Sequence, residues 1–223
     1  MVKLMPTADR KEREKVQRRN AILDAAEKLF FSKGYDNVSM DEIAKEVELA
    51  KGTLYLYFKN KDSLFFAIAL RRARSVHEMM VECAESRATG REKSRKMGEC
   101  LFEFARQNQD YYRMACTVAP ALLRKADDDD AKEVMDLMVK DLHLHCDALR
   151  DGMEDGTVRR DLNPLEMAVY LNITSMSIIC LDPAWKKGLQ EGGISYSRFV
   201  KDFLLFIGNA VDKRPDEDEA NMT

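Results

Sequence analysis

The sequence predicts an all-α fold, and three observations carry that expectation. Apolar residues recur at helical spacing along most of the chain, as in Met40, Ile43, Ala44 and Val47. Capping residues stand where those stripes begin, with Ser39 ahead of Glu42, Asn60 ahead of Asp62, and Asn163 followed by Pro164. Composition agrees, because 45% apolar and 34% charged residues suit a soluble, helix-rich globular chain.

Residues 1–18 are polar and of mixed charge, with Arg10, Lys11, Arg13, Lys15 and Arg18 outweighing Asp9, Glu12 and Glu14. They read as a partly disordered arm, either a frayed extension of the first helix or a basic segment touching DNA. Ile22, Ala25, Ala26, Leu29 and Phe30 mark the inner face of that helix, which Gly34 ends. After the link Tyr35-Asp36-Asn37-Val38, Ser39 and Glu42 form the signature of a capping box. Glu48 to Ala50 hold a turn, and Lys51 to Phe58 form the second short helix of a helix-turn-helix. Leu54 and Phe58, four apart, face inward and join Phe30, Ile43 and Val47 in a three-helix core. Lys51, Thr53, Tyr55 and Tyr57 are left outside, a cation and hydroxyls suited to phosphate oxygens and base edges.

KGTLYLYF, preceded by DEIAKEVEL and followed by KNKDSLF, closely resembles the DNA-binding domain of TetR-family transcriptional regulators. AILDAAEKLFFSKGYDNVSM upstream is similar to that family's first helix and its link, so the resemblance covers residues 19–70. It implies a DNA-binding domain over 19–65 and an effector-binding and dimerisation domain over 66–212. It also implies that Lys51, Tyr55, Tyr57 and Lys61 contact backbone phosphates, with Thr53 near bases or phosphates. Gly52 would let the backbone approach closely. Two positions depart from the family: Glu48 stands where a small residue or glycine is usual, and Ala50 where a capping Ser or Thr is usual. These changes imply altered affinity or a shifted helix start.

Asn60 caps a long helix from Lys61 to about residue 87, with Leu64, Ile68, Val76, Met79, Met80, Cys83 and Ala84 on its inner face. Thr89-Gly90 breaks the chain, and a helix follows over 91–108. Tyr111 to Leu123 is aromatic- and Met-rich, and Pro120 is expected to kink or end it. Asp127 to Asp130 read as a loop and helix N-terminus, where negative charge meets the macrodipole, in preference to a metal site. Residues 132–153 carry the stripe Val134, Leu137, Met138, Leu142, His145, Cys146 and Leu149. Tyr111, Tyr112, Met114, Cys116, Met138 and His145 are the candidates to line an effector pocket.

Asn163-Pro164 starts a helix that is apolar almost all round, and Gly188 to Gly193 lie in a linker before a second such helix. Helices apolar on more than one face are deeply buried or shared with another chain. By the resemblance they are the dimer interface, with Val169, Ile173, Met176, Phe199, Phe203 and Ile207 as its residues. Residues 213–223 read as an acidic, disordered tail.

Charge places the nucleic-acid contact at one end. Residues 1–75 hold sixteen Lys and Arg against eleven Asp and Glu, and the remainder twenty against twenty-eight. No run reaches the roughly 18 apolar residues a membrane span needs, so a cytoplasmic protein is expected. The five cysteines include no CxxC pair and read as reduced thiols. There is no nucleophile elbow, phosphate-binding glycine loop, HExxH or paired-cysteine zinc signature, which argues against an enzyme; no metal or cofactor is expected. The expected function is a dimeric, ligand-responsive repressor. It would bind a palindrome-like double-stranded operator and be released by a small molecule. The alternatives are a thiol-sensing regulator using Cys116, Cys146 or Cys180, and a protein-binding adaptor of the same fold.

Overall fold

The computed structural model describes residues 7–123 and 127–212, and among them all regular elements are helices. They are α1 (Thr7–Lys33), α2 (Met40–Glu46), α3 (Lys51–Tyr55), α4 (Lys61–Ala84), α5 (Gly90–Gln107), α6 (Gln109–Leu123), α7 (Asp129–Glu154), α8 (Pro164–Ile179), α9 (Pro183–Glu191) and α10 (Tyr196–Val211). The first residues of the expected arm and the expected tail at 213–223 lie outside the described residues; from Thr7 onward the arm belongs to α1.

Packing divides the chain into two units. One joins the described residues up to Arg72 with Arg113–Val134, and the other joins Ala73–Tyr112 with the described residues from Met135 on. The first therefore runs past residue 65, because Leu64, Phe65, Phe66, Ile68 and Leu70 of α4 are all buried.

In the first unit Ile22, Leu23, Ala26 and Phe30 of α1 are buried, as are Ile43, Ala44, Leu54 and Phe58, while Val47 is half-buried. Tyr35 sits between Phe30 and Phe65, with ring centroids 5.2 and 5.7 Å away. Its hydroxyl donates to Asp62, and its carbonyl accepts from Lys61 Nζ at 2.8 Å. Two ends of one tyrosine thus tie the α1–α2 link to the start of α4. Buried Glu27 receives hydrogen bonds from both Arg71 and Arg72, so its charge is compensated. Arg19 belongs to this unit's own packing, its guanidinium 5.0 Å from the Phe58 ring centroid and 3.2 Å from Asp130.

Ser39 caps α2 by accepting from the Glu42 amide, but the Glu42 carboxylate pairs with Lys33 instead of completing a capping box. The complete box is at Thr89 and Glu92, which the sequence reading took only as a break. α6 does not end at Pro120 but continues to Leu123. Proline removes one amide donor from the last turn of α6 without stopping the helix. Asp128 accepts from the amides of Asp130 and Ala131, and Asp127 and Asp129 meet Lys132, so the acidic run serves a helix start. α9 overlaps the expected linker, taking residues 188–191 of it into a helix. Asp182 caps it and Pro183 occupies its first turn, a signal present in the sequence and passed over.

The second unit is built on α5, against which α8 and α10 pack. Met97 and Ala148 join α5 to α7 beside Met80 and Cys83 of α4. Ala168 and Leu171 of α8 meet Leu149 of α7 and Val211 of α10. Cys83, Cys100 and Cys146 are free thiols, whereas Cys116 and Cys180 are disulfide-bonded, contrary to the expectation of five reduced cysteines.

Glu48 adopts φ 53°, the left-handed region that costs an L-residue about 1–2 kcal/mol. Glu48→Gly is expected to stabilise the protein by about 1 kcal/mol in urea denaturation, since glycine enters that region freely. An unchanged midpoint would show that the turn carries no such strain.

Candidate nucleic-acid interface and ligand cavity

α3 ends at Tyr55, short of the expected Phe58, and is held by Leu54 within it and Phe58 just beyond it. Leu54 is 0% exposed and Phe58 is buried, and the amides of Tyr57 and Phe58 donate back to the Leu54 carbonyl. Ala50 at its N-cap supplies no side-chain hydrogen bond, so the first amides of α3 rely on backbone geometry alone. The opposite face is open. A Cβ built on Gly52 meets nothing within 4 Å, so the protein's own packing does not require glycine there.

The six residues expected to contact DNA are not equally placed for it. Lys51 is exposed, and its Nζ lies 2.6 Å from Asp41 Oδ1; that hydrogen bond, with the attraction between the charges, raises the lysine pKa. Thr53 and Tyr57 are half-buried, and Tyr55 is 43% exposed. Lys61 turns inward, donating to the Tyr35 carbonyl with its Nζ 4.3 Å from that ring's centroid, so it anchors a link within the protein. Leu56, which sequence reasoning left unassigned, is 85% exposed. Its position two residues from both Leu54 and Phe58 was the signal.

The second unit holds a cavity of about 30 Å³ lined by Met80, Met97, Leu101, Asp141, Leu142, His145, Leu171, Asn172 and Ser175, among others. Of the six residues expected around a ligand, only His145 is there. Met138 is on the surface; Tyr111 and Tyr112 stack edge to face and pack beside Phe104. Met114 is buried, and Cys116 is disulfide-bonded. The periodicity marked these residues as apolar or aromatic, but could not say which helix face borders a space. Asp141 and His145 share a face of α7, as their four-residue spacing required. Asp141 Oδ1 is 2.6 Å from His77 Nδ1, and His145 Nε2 is 2.8 Å from Ser94 Oγ. Burial raises the Asp141 pKa, an effect opposed by the hydrogen bond to His77.

Burial also lowers the His145 pKa to about 4. Folding therefore holds this imidazole neutral, while the unfolded chain takes up a proton below about pH 6.5. Stability is expected to fall as pH drops from about 6.5 to 4, by about 3 kcal/mol from this group. Urea denaturation at pH 7 and pH 4.5 checks the sign: His145→Gln should lose less stability on acidification than the parent. An equal loss would show that His145 does not carry the effect.

The expected dimer residues divide between core and surface. Met176, Phe203 and Ile207 pack inside the unit, with Phe203 5.9 Å from Phe102 in an edge-to-face pair. Val169 and Phe199 are half-buried, and Ile173 is 57% exposed. The uncovered apolar residues of the same helices are Leu165, Tyr170 and Ile173 on α8 and Tyr196, Leu205 and Phe206 on α10.

The model of the family described as bacterial regulatory proteins, tetR family, matches residues 22–68, the segment containing α2 and α3. The fatty acid metabolism regulator protein of Bacillus subtilis is 25% identical over 142 residues, covering 64% of this chain and 71% of that protein. Other curated regulators are matched over 45% to 49% of their length. Among solved structures, a tetR-family regulatory protein from Rhodococcus RHA1 superposes with a TM-score of 0.69 at 17% identity, covering 88% of this chain and 98% of that one. AibR, solved with isovaleryl coenzyme A and operator DNA, gives 0.62 at 18% identity over 84% and 96% of the two chains. At these identities the superpositions speak for the fold, while the sequence match falls on the helix-turn-helix itself. Residues 22–68 are thus a DNA-binding segment of the TetR type, and the chain as a whole resembles TetR-family regulators in fold.

Proposed function

We propose that the protein is a homodimeric, ligand-responsive repressor that binds a palindrome-like operator through α3. The observation that carries this reading is the outward face of α3, where Gly52 borders open space between Lys51 and Thr53. Glycine there weakens the helix and serves no internal contact, but it lets the helix backbone come close to a duplex. Lys51, Tyr55, Tyr57 and Thr53 then supply phosphate and base-edge contacts, with Lys51 exchanging Asp41 for phosphate. Lys61 takes the supporting role of fixing the link to α4.

Two copies pair through the uncovered faces of α8 and α10, so that one dimer presents two recognition helices to a two-fold site. The effector is a small molecule that enters the second unit at the cavity by Asp141 and His145. At about 30 Å³ the cavity has room only for water, so an effector must widen it. Met80 and Met97 line it and are side chains able to repack. The bound coenzyme A ester in AibR makes acyl thioesters a reasonable first class to screen. Release follows if the effector prefers the state with the lower DNA affinity.

Selection of binding sites from a random DNA pool tests the reading, with Gly52→Ala beside the parent protein. A two-fold-symmetric site should emerge. Gly52→Ala should bind it at least about tenfold more weakly while gaining up to about 1 kcal/mol of stability. Loss of DNA affinity alongside a more stable fold separates an interface role from a structural one. Selection without any preferred sequence would sink the reading.

A thiol-responsive regulator is the second reading, favoured by the disulfide-bonded state of Cys116 and Cys180. Operator affinity that changes with dithiothreitol in the parent and not in Cys180→Ser would support it; equal behaviour would remove it.

A further inference from the structure

Resting on the reading of α3 as the DNA-recognition helix, we infer that Leu56 reads the 5-methyl group of a thymine in each half-site. Leu56 is 85% exposed, and its neighbours in sequence explain why. Leu54 and Phe58 are buried, and two residues along a helix is roughly 200° of rotation, so Leu56 points away from the core. Its backbone is still helical, with φ −73° and ψ −22°. Gly52 lies four residues earlier, one turn along the same face. Helical side chains lean toward the N-terminus, so the isobutyl group is directed to the side on which Gly52 leaves open space, with nothing within 4 Å of a Cβ there. The result is an apolar patch on an element otherwise offering an ammonium group and hydroxyls.

Chemistry selects the target. Leucine neither donates nor accepts a hydrogen bond, so it gains nothing from phosphates or from the donor and acceptor atoms of the base edges. In the floor of the major groove the one apolar group is the thymine 5-methyl. Close approach at Gly52 brings the leucine within reach of the groove floor, and burying the two apolar groups against each other removes both from water.

The test replaces thymines of the selected operator one at a time with uracil, which removes only the methyl group, and measures binding by the parent and by Leu56→Ala. At one position per half-site the parent should lose about fourfold in affinity, the worth of one buried methyl group. Leu56→Ala should bind thymine and uracil operators within about a factor of 1.5, because its own truncation has already removed the contact. Circular dichroism should show the variant folded, since Leu56 touches little of the protein. A parent insensitive to every uracil replacement overturns the inference. So does a uracil effect of equal size in both proteins, which would place the methyl contact on another residue. Either result leaves the regulator reading standing as long as sequence-specific binding persists. Absence of any preferred site fails that reading itself, and this inference with it.

Discussion

Gly90→Ala is expected to lose about 3 kcal/mol of stability, lowering the melting temperature by about 6–12 °C. A Cβ at Gly90 would stand 2.0 Å from the Gly152 nitrogen and 2.4 Å from the Ala148 carbonyl oxygen, backbone atoms of α7 that cannot swing aside. The close approach has a purpose in the fold. The Gly90 amide donates to Asp155 at 2.8 Å and the Arg91 amide to Thr157 at 3.3 Å, so the turn that follows α7 helps to cap the start of α5. Thr89 and Glu92 complete the cap from within the chain. An added methyl group forces the helices apart and disturbs both sets of bonds. Gly188→Ala is the control: its Cβ meets nothing within 4 Å, and inside α9 alanine should be neutral or stabilising by up to about 1 kcal/mol. Thermal unfolding of the two variants side by side checks the pair. Similar melting temperatures would mean that α5 and α7 do not approach as described.

Phe206→Asp is expected to convert a dimer into a folded monomer and to weaken operator binding by about a hundredfold or more, since two linked contacts become one. Phe206 is 72% exposed on α10, so a carboxylate there faces water in the single chain and becomes a desolvated charge only when a second copy covers it. Phe203, three residues earlier, gives the contrast. It packs against Phe102 and sits in a cluster with Phe102, Ala105, Tyr112 and Ile179, so Phe203→Asp should unfold the second unit. Sedimentation and circular dichroism together separate the two outcomes. A Phe206→Asp protein of unchanged mass and unchanged DNA affinity would place the pairing surface elsewhere.

Much of this was legible in the chain. Helices are local: i, i+3, i+4 stripes, Asn60, Asn163-Pro164 and Gly34 placed their faces and several of their ends. α3 was legible for the same reason, because Leu54 and Phe58 specify an inward side and thereby the outward one. Glu48 was marked as an unusual residue from the sequence, and its left-handed backbone supplies the cause. Interface residues were harder. Periodicity ranks faces by hydrophobicity, and α8 and α10 are apolar on more than one, so it pointed to Phe203 for the interface, whereas Phe203 packs inside the unit and Phe206 is the exposed residue.

What the sequence by itself determined is the helical class, the order of most helices and the identity of the helix-turn-helix, since each rests on residues within a few positions of one another. Tertiary structure alone decided which side chains share a space. It turned Lys61 toward Tyr35, put Asp141 beside the cavity with the expected His145 and kept Tyr111 and Tyr112 out of its lining, and required glycine at both 90 and 152. Those facts depend on how closely segments distant in sequence approach, and that distance is set by packing, which no local pattern encodes.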